Sequence, residues 1–178
     1  DASMLDASQL TTFKGQLAII LEIAEGEFKR NIPAEAVVAR LAQHLHQLRA
    51  QSGPTIWKEL IPIAQQHAVQ KFLLQDPFTQ WSFQKPLGYS GDATLLDIVY
   101  KHPNVDKIVS AATPLGREIY AYTSDVDSSV ACRERLEILA KYVDDAAANV
   151  EDAEVLSVAC GHMRESEQAK VLDSGSLK

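Results

Sequence analysis

Apolar residues recur at steps of three and four through most of the chain, and this spacing restricts the fold more than any other feature. Leu10, Phe13, Leu17, Ile20, Leu21, Ala24 and Phe28 share one face of a helix over residues 8–29. Asn31-Ile32-Pro33 ends it, and Pro33 suits the first turn of the next helix. Val37, Val38, Leu41, Leu45 and Leu48 give a second stripe that ends near Gln51. After the turn Ser52-Gly53-Pro54, the stripe Trp57, Leu60, Ile61, Ala64, Ala68, Phe72 predicts a third helix. Pro62 lies inside it and is expected to kink or split it. Short connections imply antiparallel neighbours, hence a helical bundle.

The helical pattern continues beyond this bundle. Asp76-Pro77 resembles an N-cap and first-turn proline, with a short helix through Phe83. Asp92 is expected to cap a helix carrying Leu95, Leu96, Val99 and Tyr100. His102-Pro103-Asn104 is a stop, Thr113-Pro114 starts another helix, and a last long helix begins near Ser124. Its face is Val130, Leu136, Leu139, Ala140, Val143 and Ala147. One apolar run alternates instead: Val155-Leu156-Ser157-Val158 suits a buried strand that stops at Ala159-Cys160-Gly161 before a polar helix start. A strand ending at a glycine before a helix N-terminus is a place to hold a nucleotide-like ligand.

The formal charge of −7 and the absence of any Lys/Arg run longer than Lys29-Arg30 argue against a nucleic-acid surface. Cys132 and Cys160 lie far apart without metal-ligand spacing, so neither a disulfide framework nor a metal site is expected. No apolar run approaches the roughly 20 residues that span a bilayer, and a cytoplasmic location fits.

Two stretches carry the candidate chemistry. The first is 155–165. His162 comes directly after Gly161 at the expected helix start, where it could line a pocket. The second is Lys85-Pro86-Leu87-Gly88-Tyr89-Ser90-Gly91-Asp92, whose proline and glycines exclude regular structure. Such loops often act as lids or ligand clamps, with Tyr89 as the contact and Asp92 either a cap or a catalytic group. His44 and His46, two apart on a helix, cannot easily share one metal ion. Arg117, Arg133 and Arg135 are solvated helix charges by default.

The loop 85–92, with Leu95, Leu96, Asp97 and Tyr100 behind it, resembles a loop of one group of class I S-adenosylmethionine-dependent methyltransferases. In that group a helical N-terminal region precedes the Rossmann-like catalytic domain, and its first glycine motif is similar to residues 155–165, including Ala159, Cys160, Gly161, Arg164 and Glu165. The resemblance covers roughly residues 76–165. The group is similar to enzymes that make methyl esters of hydroxy fatty acids as signals.

The resemblance implies a mainly α chain: a helical cap domain over 1–150, then the first β-strand and helix start of a truncated Rossmann-like domain over 151–178. It implies S-adenosylmethionine as cofactor, bound by Ala159, Cys160, Gly161, His162, Tyr89 and Gly91. No general base stands out: Tyr89, Asp92 and His162 are the candidates, with a base outside this stretch of chain as the alternative, and the expected partner is a small-molecule methyl acceptor. The acidic residue expected on the ribose, about 20 residues past the glycine, falls at or beyond Lys178. The chain by itself is therefore expected to be inactive. A lone strand would expose unpaired backbone, so association with a second copy, through it or through helix faces, is expected unless it is no strand at all. The alternative is a non-catalytic helical module that binds a ligand or a protein, or regulates.

Overall fold

A computed structural model describes residues 2–173 of the chain. The polar tail from residue 174, and with it the position near Lys178 expected to hold the ribose, lies outside the described residues. The helices are α1 (Ala2–Lys29), α2 (Ala34–Gln66), α3 (Gln70–Leu73), α4 (Pro77–Gln84), α5 (Ala93–Tyr100), α6 (Asp106–Ala111), α7 (Pro114–Thr123), α8 (Asp127–Asn149) and α9 (Lys170–Asp173). Two 3-10 turns, Pro103–Val105 and Arg164–Glu167, complete the order. No helix among them is long and apolar enough to cross a membrane.

The chain divides into two compact units. One runs up to Gln80 and includes Ala112–Tyr122; the other holds Trp81–Ala111 and the chain from Thr123. In the first unit α1 lies against α2, and the stripes predicted from spacing meet. Leu17, Leu21, Ala24 and Phe28 are buried with Val37, Leu41, Leu48 and Leu60. Phe28 stacks on Phe72 with ring centroids 5.2 Å apart. Ile119 of α7 joins this core.

The expected break between the second and third helices is a kink at Gly53, whose φ of 71° and ψ of 169° interrupt the helical run. Only a residue without Cβ adopts that conformation cheaply. Pro62 does not split the helix, which continues through it to Gln66. The chain leaves the helix at His67, in extended conformation.

In the second unit, Leu95, Ile98 and Val99 of α5 are buried, as are Leu136 and Ala140 of α8 and Ala169. Leu139 is 42% exposed, so the predicted α8 face is only partly covered. Asp144 accepts a hydrogen bond from the Val171 N–H at 2.9 Å, which ties α9 to α8. Arg133 donates to the Val99 carbonyl at 3.1 Å and closes the C-terminal end of α5.

The mainly α expectation holds, and the strand does not. Residues 153–157 take up no regular element, and no β-strand forms among the described residues. Leu156 and Val158 are 89% and 80% exposed. A strand exists only through a neighbour's hydrogen bonds, and four apolar-leaning residues do not supply one. The Rossmann-like start is thereby corrected: Gly161 leads, through Met163, into a four-residue 3-10 turn rather than a helix N-terminus.

Candidate functional site

The two unusual stretches meet in the second unit. Asp92, fully buried, accepts from the Leu95 N–H at 2.8 Å and so caps α5, as its position predicted. Both of its carboxylate oxygens also lie 2.9 Å from the Trp81 indole nitrogen. The carboxylate is fully engaged in holding α4, the loop and α5 together. The rest of the loop is open: residues 85–91 are exposed, Tyr89 at 57%, and nothing lies within 4 Å of where a Cβ would stand on Gly91. Gly88 has φ of 90°, a turn that favours glycine.

Gly161 packs on the first turn of α5. A Cβ added there would lie 3.3 Å from the Ala93 Cβ and 3.8 Å from Leu96. Around it the backbone alternates: Ala159, Gly161 and Met163 have φ of 56°, 58° and 53°, and the residues between have negative φ. Such alternation turns successive N–H groups to one side, as in anion-binding nests. The N–H groups of Cys160, Gly161 and His162 have no acceptor among the described residues. Cys160 is half-buried and is a free thiol, as is Cys132.

Two residues that spacing had not marked as functional hold this corner. Asp97, 2% exposed on α5, accepts from Arg164 Nε and Nη2, both at 2.8 Å, and from His162 Nδ1 at 2.8 Å. Arg164 also pairs with Glu167, whose other partner is His102 at 2.9 Å. Burial alone would raise the Asp97 pKa; the bonds from Arg164 and His162 outweigh it and hold the carboxyl below its ordinary value. Arg164 is raised in turn, chiefly by its bond to Asp97. Glu167 is lowered by its bonds from His102 and Arg164. The signal in the sequence was a single carboxylate inside the apolar run Leu95-Leu96-Asp97-Ile98-Val99.

Acid is therefore expected to loosen this corner. Asp97 binds its proton more weakly in the folded chain than in the unfolded one, so stability falls as pH falls. The contribution is whole above the unfolded aspartate value, about 3.9, and disappears as pH drops through the lower folded value. Hydrogen exchange at the amides of residues 162–167 reads it; unchanged protection below that range would disprove the coupling.

Elsewhere, Glu22, Glu25 and His67 bring their ligand atoms within 4.8 Å of one another. The Val69 N–H donates to His67 Nδ1 at 3.1 Å, so Nε2 carries the proton towards Glu22, 3.4 Å away. That leaves this imidazole without a lone pair for a metal. Glu25 is paired with Lys29 at 2.5 Å. An apolar groove of about 410 Å³ lies between α8 and residues 155–172, lined by Leu139, Tyr142, Val155, Leu156, Met163 and Leu172.

Comparisons with protein-family models, with curated proteins and with solved structures gave no match.

Proposed function

We propose that this chain forms one wall of the cofactor site of an S-adenosylmethionine-dependent methyltransferase acting on a small molecule, and that it does not turn over by itself. The observation that carries this reading is the packing of Gly161 on Ala93 and Leu96. It joins the two motifs, 65 or more residues apart in sequence, whose pairing suggested the family. A helical bundle has no need of that junction.

The groups present suit an amino-acid cofactor. The N–H groups of Cys160, Gly161 and His162, which meet no acceptor among the described residues, offer donors to a carboxylate. Ala159 and Gly161 allow close backbone approach, while Tyr89 and Gly91 lie on the exposed loop that enters the same helix. Bound there, S-adenosylmethionine would supply a methyl group on a positively charged sulfur. The chain's own part is alignment and exclusion of water. One wall without a sheet implies weak binding, with Kd of about 1 mM, near −4 kcal/mol.

Amide NMR with S-adenosylhomocysteine tests this. Saturable shifts confined to residues 88–92 and 159–164 are expected, and no shift at millimolar ligand overturns it. The apolar groove beside α8 favours a second reading, a non-catalytic module for an acyl ligand. Shifts at Leu139, Tyr142 and Leu156 with a fatty acid, and none with S-adenosylhomocysteine, would select that reading.

A further inference from the structure

We infer that His162 is a general base: its Nε2 is an open proton acceptor, presented in one fixed tautomer by Asp97 and Arg164. The geometry rests on a count of donors. Asp97 receives three bonds, two from Arg164 and one from His162, all at 2.8 Å. Its carboxylate is ionised at neutral pH and can only accept. The proton between the pair therefore belongs to His162 Nδ1. In the neutral imidazole this leaves the lone pair on Nε2.

The other two partnered histidines are wired the opposite way. His67 and His102 each accept at Nδ1 from a backbone N–H two residues on, Val69 and Asn104. Each turns its Nε2–H to a glutamate, Glu22 and Glu167. Both are donors outward. Of the three, His162 alone has a carboxylate hydrogen-bonded at Nδ1 and an Nε2 with no partner among the described residues, on a side chain 43% exposed; the nearest carboxylate to His67 Nδ1, that of Glu25, stands 4.0 Å away. A buried carboxylate at Nδ1 is how an imidazole is held in the tautomer that takes a proton at Nε2.

This role rests on the methyl-transfer reading for its purpose. An acceptor already ionised at neutral pH, such as a carboxylate, needs no base. A base next to Gly161 points to an acceptor that still carries its proton, a hydroxyl. In the step assigned here the O–H bond breaks, its electron pair stays on oxygen, and the proton bonds to Nε2, giving an imidazolium stabilised by Asp97. Asp97 and Arg164 are positioning residues.

Long-range proton–nitrogen NMR correlation at neutral pH identifies the tautomer of each histidine, with His162→Gln for assignment. His162 is expected as Nδ1–H, and His67 and His102 as Nε2–H. An Nε2–H form at His162, or an imidazole doubly protonated there at neutral pH, overturns the inference. Diethyl pyrocarbonate labelling resolved by mass spectrometry then asks whether Nε2 is open. Modification of His162 at least as fast as of the exposed His44 and His46, with His67 and His102 spared, is expected. A His162 that stays unmodified is a tether only, and the inference fails. In Asp97→Asn the single tautomer should be lost; Arg164→Lys, which keeps the charge, serves where the first variant does not fold. None of these readings uses the cofactor, so a negative result with S-adenosylhomocysteine leaves them distinguishable.

Discussion

Asp97→Ala should lower the stability of the unit that contains α5 by about 3–5 kcal/mol, the cost of removing one partner from a buried ion pair. The effect is large because of what remains. The Asp97 side chain is 3% exposed and that of Arg164 12%, so the guanidinium would stay mostly shielded from water with the half-exposed Glu167 beside it. His162 loses its partner as well, and residues 160–167 lose the anchor that holds Gly161 on Ala93. A surface pair would be worth roughly 0–1 kcal/mol, so the size of the loss distinguishes the two cases. Urea unfolding monitored by Trp81 fluorescence, in a Trp57→Phe background, measures it. Removing Asp97 and Arg164 together, with apolar replacements, should cost less than Asp97→Ala alone. A single-variant loss below about 1 kcal/mol would mean that the pair is solvated and the corner is held by other contacts.

The two parts of the molecule differed in how far they could be foreseen. The helices were legible because a helix satisfies its backbone internally, and its apolar face recurs in the sequence itself. The caps at Asp76 and Asp92 were legible for the same local reason: an acceptor three residues before an amide is a sequence pattern. Residues 155–158 were not, since alternation over four residues cannot show whether a neighbouring strand exists. The resemblance implied a first strand and no partner for it, and Leu156 stands exposed in irregular chain instead. Of the candidate site, His162 and Gly161 were marked for the wrong local reason, an expected helix start. Their actual neighbours, Asp97 and Ala93, lie about 65 residues earlier on another element. Long-range pairing of this kind leaves only an indirect trace, here a charge where an apolar helix face would be continuous. The Asp92 carboxylate shows the converse, since a cap and an indole use up an acid that could have been catalytic.

Gly116→Ala is expected to destabilise the other unit by about 2 kcal/mol or more, against the usual direction of such a change. On propensity alone, alanine in a helix interior gains about 1 kcal/mol over glycine. At Gly116, within α7, the added Cβ would lie 2.1 Å from the Gln75 carbonyl oxygen and 2.7 Å from its carbon. Both are backbone atoms and cannot swing aside as a flexible side chain does. Overpacking costs about 1–3 kcal/mol, and more where the backbone must move. Here it must move a tied segment. Thr113 donates to the Gln75 side chain at 2.6 Å and accepts from the Gly116 N–H at 3.0 Å. The next residue, Asp76, is fully buried and accepts from the Phe78 and Thr79 N–H groups that open α4. Displacing Gln75 therefore strains the α4 cap as well as α7. Gly15→Ala in α1, where nothing lies within 4 Å, is the control and should stabilise by up to about 1 kcal/mol. Hydrogen exchange at residues 75–80 and 113–120 separates the outcomes: faster exchange there in Gly116→Ala is expected, while protection equal to the parent chain would mean that α7 is free to shift away from Gln75.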